Sequence, residues 1–242
     1  MSIVGGRGSS DSPPGGTPRR ALAWRLGEGP RLGSGPLAAL DTLARSGLPV
    51  LEGVVLSREA HEVYLRETGL ALALRSCDPA GELQGQARLL RQAYAPAPVG
   101  RVIHELITET LIGLEAFSVR VLSEDGAWQD LRAIPEVRDA VREAWLHPAG
   151  LKRQVRAAAA GPPPTWPVLM QREARPDHVG WTLAGGERPG ALYDVRPARD
   201  DSPPGRGLED LTVEAGAALE GPARLRWGLE GGKWYVLGVE PG

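Results

Sequence analysis

The chain has 242 residues, 42% of them hydrophobic and 24% charged, which is typical of a globular protein with a sizeable core. A net charge of −2 excludes a global field that would attract nucleic acid or an anionic membrane. The single cysteine, Cys77, excludes an intramolecular disulfide. Because the sequence shows neither an apolar leader nor 18 uninterrupted apolar residues, we expect a cytoplasmic protein with no nucleic-acid or membrane partner.

The first third of the chain predicts an unstructured start followed by alternating helices and extended segments. Residues 1–30 are rich in Gly, Ser, Pro and Arg, so we expect a disordered N-terminal arm. Apolar residues recur at helical spacing over 36–46, and Gly47 is a typical residue just beyond a helix end. An extended passage into a short strand covers 48–56, and Ser57 is a predicted N-cap of the next helix.

The middle of the chain is predicted to be mainly helical, with one strand. Helical periodicity covers 82–94 and 99–114, and a β-rich run at 115–122 ends in a turn at 123–126. Pro135 occupies a favoured first helical position, and a further helix is predicted over 149–160. These elements predict a helix-rich first lobe over 31–160.

Three consecutive prolines at 162–164 cannot continue a helix, so we predict a linker at 161–164 and a second lobe over 165–242. Strands are predicted at 166–171 and 180–183, paired with each other, and at 191–195, followed by a helix over 208–219. The tail predicts a β-hairpin, because two apolar runs flank Gly231 and Gly232, which can adopt the positive φ of a tight turn.

Four segments together resemble the nucleotide-binding domain of the phosphoenolpyruvate synthase and pyruvate phosphate dikinase family. They are a Gly-Leu-Pro-Val passage within 45–60, a Ser-Val-Arg run at 118–125, a strand pair at 168–182 and the hairpin at 223–241. The resemblance implies a shortened, two-lobed ATP-grasp-like α+β fold, with a helix-rich first lobe and a small antiparallel-sheet second lobe.

The resemblance also implies a ligand and residues that bind it. Arg120 matches a family arginine that contacts the triphosphate of ATP, although the serines that follow it in the family are Val121 and Leu122 here. Gln171, Arg172 and Glu173 match the strand and hinge that hold adenine in the family. We therefore predict ATP or AMP as the ligand, bound by these four residues.

The sequence departs from the family where the chemistry takes place. Pro36 stands in place of a phosphate-binding lysine, which Arg31 could replace, and a glycine-rich Gly-Leu-Gly-Glu segment is missing. Arg226 and Gly238 replace the Glu and Gln that hold Mg²⁺ in the family, and Glu240 replaces an arginine at the γ-phosphate. An arginine repels Mg²⁺ but can bind phosphate directly. The four histidines are scattered, so no metal site is predicted, and the catalytic residues stay undefined.

The sequence leaves two functions open. The first is nucleotide binding with weak or lost phosphotransfer, possible partners being a separate phosphohistidine or barrel-domain protein, since both domains are missing here. The second is a non-catalytic pseudo-enzyme that acts as an interaction or regulatory module. A third interpretation is a lobe of an antibiotic-modifying phosphotransferase, because rifamycin phosphotransferases use a similar first domain.

Overall fold

The computed structural model describes residues 19–33, 35–158, 160–185, 192–197, 207–219 and 221–241. The helices are α1 Arg19–Leu22, α2 Pro36–Arg45, α3 Arg58–Glu67, α4 Leu70–Arg75, α5 Leu83–Tyr94, α6 Arg101–Leu114, α7 Ile134–Trp145, α8 Pro148–Ala158 and α9 Gly207–Ala218. The strands are β1 Ala23–Arg25, β2 Gly53–Leu56, β3 Val119–Leu122, β4 Ala127–Leu131, β5 Val168–Arg172, β6 His178–Ala184, β7 Leu192–Pro197, β8 Ala223–Glu230 and β9 Lys233–Pro241.

The strands form two antiparallel sheets. The larger sheet has the order β1-β2-β5-β3-β4, and the smaller sheet has the order β7-β6-β8-β9. Residues 173–177 connect the last strand of the larger sheet in the chain to β6 of the smaller sheet. The predicted α+β class is therefore confirmed, with helices grouped around a larger antiparallel sheet and a second, smaller antiparallel sheet.

Helices α3 to α8 supply most of the core on one face of the larger sheet, because each carries an apolar stripe that must be buried. Val121 and Met170 of the sheet pack there with Ile107 and Trp145 of the helices. Burying each large apolar side chain contributes about 1.5–3 kcal/mol, so this layer supplies much of the folding free energy. No helix in the described ranges is long and apolar enough to cross a membrane.

The opposite face of the larger sheet shares a second core with the smaller sheet. Val55 and Leu169 from the larger sheet lie in one cluster with Leu225 and Trp227 of β8, together with apolar residues of α2 and α9. A single parallel bridge between Val50 and Val236 also links the two parts. The two sheets are therefore held together by buried apolar contact.

The predicted pairing of strand 166–171 with strand 180–183 is wrong. β5 pairs with β2 on one side and β3 on the other, so it lies at the centre of the larger sheet, while β6 pairs with β7 and β8. The three prolines follow the last helix packed on the larger sheet. The chain after them still adds a strand to that sheet, because β5 lies between β2 and β3. The hairpin was predicted because the two strands are close in sequence. The structure places β5 at the centre of the larger sheet, where both of its faces are buried.

The predicted arm over 1–30 is wrong from residue 19 onward, and residues 1–18 lie outside the described residues. A short helix precedes β1, which pairs with β2 through Trp24 and Val55. β1 has only three residues, so it is ordered by its pairing with β2. A strand this short gives only a weak pattern in the sequence. The helix α4 and the strand β4 were also absent from the predictions.

Several local predictions are confirmed. The Ser57 hydroxyl accepts a hydrogen bond from the Ala60 backbone N–H at 3.0 Å, as an N-cap should. The tail forms the predicted hairpin of β8 and β9, and Gly231 and Gly232 adopt φ of 58° and 78° at its turn. Most of the connection between the predicted strand 191–195 and the predicted helix 208–219 lies outside the described residues.

Candidate functional site

Arg120 and Gln171 meet on neighbouring strands of the larger sheet, on the face that looks toward the smaller sheet. β3 and β5 place the two residues directly opposite each other. The Gln171 side-chain oxygen accepts hydrogen bonds from Arg120 Nε at 3.1 Å and Nη2 at 2.6 Å. Gln171 Nε2 in turn donates to the Leu51 carbonyl at 2.7 Å. The amide therefore holds the guanidinium through two hydrogen bonds and is itself anchored by a third to the backbone.

Arg120 is a buried cation with no carboxylate bonded to it among the described residues. Arg120 is only 7% exposed, and Gln171 is fully buried. Burial lowers the pKa of Arg120 to about 10, with the Glu173 carboxylate opposing this shift and the Arg226 guanidinium adding to it. Arg120 stays charged at neutral pH, so its surroundings attract an anion.

Arg226 projects from the exposed face of the smaller sheet. Along β8, Leu225 and Trp227 are buried in the shared core, and the alternation of a strand turns Arg224 and Arg226 outward. Arg224 lies over the ring of Trp181 at 5.0 Å and within 4.0 Å of Glu240. Arg226 forms no ion pair with any residue that the structure describes. It is thus an available cation close enough to Arg120 to influence its pKa.

The two other predicted site residues, Arg172 and Glu173, lie where the larger sheet passes into the connection to β6. Arg172 Nη1 donates to Glu230 Oε2 at 2.8 Å, and the guanidinium lies 5.5 Å from the ring centre of Tyr235. Glu173 Oε2 accepts a hydrogen bond from the Asp130 backbone N–H at 2.9 Å. Both side chains are therefore engaged in holding the connection, and their contact with a nucleotide stays a prediction.

Glu230 is a residue of this region that the sequence analysis missed. Its Oε1 accepts the Arg175 backbone N–H at 2.6 Å while its Oε2 accepts from Arg172, so one carboxylate ties the connection to the hairpin. Partial burial raises the pKa of Glu230, but these two hydrogen bonds outweigh burial and the net shift is downward. The acid beside the Gly-Gly turn is visible in the sequence, but its two partners are not.

A cavity of about 780 Å³ brings the opening glycine turn and the closing hairpin together. Arg31, Gly33 and Pro36 line one side, and Val239 and Glu240 at the end of β9 line another. These segments are some 200 residues apart in the chain, and the resemblance assigned both to phosphate contacts. Neither Arg120 nor Gln171 lines this cavity.

The residues present do not fit a Mg²⁺ ion at the positions where the resemblance places its ligands. Arg226 and Gly238 face each other across β8 and β9 and offer a cation and no side chain. Mg²⁺ requires oxygen ligands, usually carboxylates. Over the described ranges, no group of three or more His, Cys, Asp or Glu side chains could hold a metal ion.

Comparisons with known proteins give structural similarity but no family. No family model matches the chain, and no curated protein matches it. Among solved structures, the chain is similar to the D-alanine-D-alanine ligase from Coxiella burnetii, with 12% identity and a TM-score of 0.46. The match covers 84% of this chain and 45% of the ligase chain, so this chain spans less than half the length of that enzyme.

Proposed function

We propose that this chain is a nucleotide-binding domain of the ATP-grasp type, resembling that of phosphoenolpyruvate synthase and pyruvate phosphate dikinase, that binds ATP or AMP with weak or lost phosphotransfer. The observation that carries the proposal is the buried Arg120, whose guanidinium is positioned by Gln171 rather than by a carboxylate. A buried charge is costly without a counter-charge. A nucleotide phosphate beside Arg120 would supply that counter-charge, within reach of the field of Arg226.

The roles of the residues follow from their positions. Arg120 binds phosphate oxygens from the larger sheet, and Arg226 binds them from the smaller sheet, while Gln171 orients Arg120. The connection at 173–177 carries the backbone that would border the adenine. Because Arg226 and Gly238 cannot hold Mg²⁺, the phosphates bind through guanidinium contacts instead of a bridging metal ion.

The test is the effect of nucleotide on the free energy of unfolding, measured with ATP and with AMP in EDTA and in Mg²⁺. A nucleotide present at about 100 times its Kd adds about 2.7 kcal/mol. We expect this stabilisation in EDTA, and we expect Arg226→Gln to weaken nucleotide binding about fivefold, the upper range for an exposed ion pair. Lys233→Gln, a neutralisation at the turn of the same hairpin, should leave Kd unchanged. If neither ATP nor AMP raises the free energy of unfolding, the proposal is refuted.

The alternative is a pseudo-enzyme that serves as an interaction or regulatory module, and the charge reversal at Arg226 is the observation that favours it. An assay for ATP turnover, and for phosphate transfer to a phosphohistidine or barrel-domain protein, distinguishes the two functions. Turnover that requires Mg²⁺ and disappears in Arg120→Met would contradict the loss of phosphotransfer. Nucleotide binding without turnover would support the main proposal, whereas the absence of both binding and turnover would favour the interaction module.

A further inference from the structure

A second cavity, of about 570 Å³, lies at the edge of the larger sheet and contains none of the residues proposed for the nucleotide. It is bordered by β1, by the start of β2 and by α6. Its volume is in the range of small-molecule pockets, about 300–1,000 Å³. About half of its wall is apolar, including Trp24, Leu48, Leu51 and Leu106.

One polar side chain in this wall, Thr110 of α6, has an unusual environment. Thr42, Thr108 and Thr212, which also lie in helices, each donate a hydrogen bond to the carbonyl four residues earlier. Thr110 is only 8% exposed, and it makes no hydrogen bond with any residue that the structure describes. The hydroxyl is not fully enclosed by protein atoms, so it is open to the cavity and can bond a polar group there.

The rim of the cavity carries more negative than positive charge. Three carboxylates, Glu28, Glu52 and Glu109, line it against the guanidiniums of Arg19 and Arg25. Arg19 and Glu109 pair with each other at 2.8 Å. Within the described parts of the chain, Glu28, Glu52 and Arg25 form no ion pair, which leaves two unpaired carboxylates against one guanidinium. The field at the mouth therefore favours a cation over an anion.

We propose that this cavity is a binding site for a small amphiphilic amine, with an aromatic or aliphatic body and a cationic head. The body would lie against Trp24 and Leu106, and the ammonium would face Glu28 and Glu52. Thr110 would bond a hydroxyl or other polar group at the buried end of the ligand. This site is separate from the nucleotide cleft, and it stands whether or not the chain binds nucleotide.

The test uses tyramine, which has a phenol at one end and an amine at the other, and measures its Kd by isothermal titration calorimetry on the full chain. Hydroxyphenylpropionate, of similar shape but with a carboxylate, is the matched anion. We expect tyramine to bind at least about tenfold more tightly, because the anion would meet the rim carboxylates. Thr110→Val should weaken tyramine binding about fivefold through loss of the hydroxyl contact.

Two substitutions of Gly113 test whether tyramine binds in this cavity or elsewhere on the surface. It lines the cavity within α6, and a Cβ added there meets nothing within 4 Å. Gly113→Ala removes a poor helix former without filling the space, so tyramine should still bind. Gly113→Phe places a ring in the cavity and should abolish binding.

Three results would overturn the proposal: no binding of tyramine at millimolar concentration, equal binding of the anion, or equal Kd in Gly113→Phe and Gly113→Ala. If Gly113→Phe does not fold, Glu52→Gln decides the question. Glu52 is exposed, so its neutralisation should leave the fold intact and weaken tyramine binding about threefold. An unchanged Kd in Glu52→Gln would also overturn the assigned ligand class.

Discussion

Replacing Gln171 by Leu should destabilise the protein strongly, because this amide alone joins the Arg120 side chain to a backbone carbonyl. The substitution keeps a similar volume but removes three hydrogen bonds, two from Arg120 and one to Leu51. It leaves a buried guanidinium and a carbonyl without partners. Breaking a buried charged contact in this way costs about 3–5 kcal/mol, a large share of a typical folding free energy of about 5–15 kcal/mol.

A double-mutant cycle tests the origin of that cost. Arg120→Met removes the charge, so Gln171→Leu in the Arg120→Met background should cost only about 1–2 kcal/mol, for the Leu51 carbonyl. The free energies of unfolding are measured by urea denaturation followed by far-UV circular dichroism. A coupling energy below about 0.5 kcal/mol would refute the view that Gln171 is the partner that makes buried Arg120 tolerable.

Two further predictions concern buried polar groups away from the cleft. His61 is fully buried, its Nδ1 accepts the Trp166 backbone N–H at 3.2 Å, and desolvation lowers its pKa to about 3. The unfolded chain therefore binds more protons between pH 6.5 and 3, and stability should fall as pH falls, by about 2 kcal/mol at pH 5. Thr182→Val should cost about 2 kcal/mol, because the Thr182 hydroxyl accepts from Trp227 Nε1 at 2.7 Å and lies 3.0 Å from the Thr212 hydroxyl.

Controls keep these two predictions specific. In His61→Asn, the extra loss of stability between pH 6.5 and 5 should disappear even if the variant is less stable overall, and an unchanged pH slope would contradict the assignment to His61. Thr108→Val is the control for Thr182→Val, because Thr108 is only partly buried and its hydrogen bond to the His104 carbonyl is exposed to solvent, so its replacement should change stability by less than about 0.5 kcal/mol. Equal costs in the two threonine variants would contradict the role of the buried network.

Local elements were largely predictable, because their signals lie within a few residues. The apolar stripe of Val99 to Leu114, the N-cap at Ser57 and the glycines of the last hairpin each predicted an element that the structure contains. Propensity and periodicity act through neighbours in sequence, so they are readable without the fold. The short strand β1 was missed for the same reason, since its order comes from a partner 30 residues away.

The residue types of the candidate site were predictable from the sequence, but their arrangement in space was not. A resemblance in the sequence pointed to Arg120 and Gln171 separately, and no pattern indicated that they bond to each other or that Leu51 completes the group. Likewise, the predicted loss of metal ligands at Arg226 rested on the sequence, while its electrostatic influence on Arg120 depends on how the sheets face each other.

The sequence by itself determined most helices, most strands, the closing hairpin and the charge of each side chain at the candidate site. Only the tertiary structure decided that β5 joins the larger sheet, that Arg120 is buried against an amide, and that the opening turn meets the end of β9. The physical reason is that local conformation depends on adjacent residues, whereas strand order, burial and the neighbours of a charge depend on contacts between distant segments.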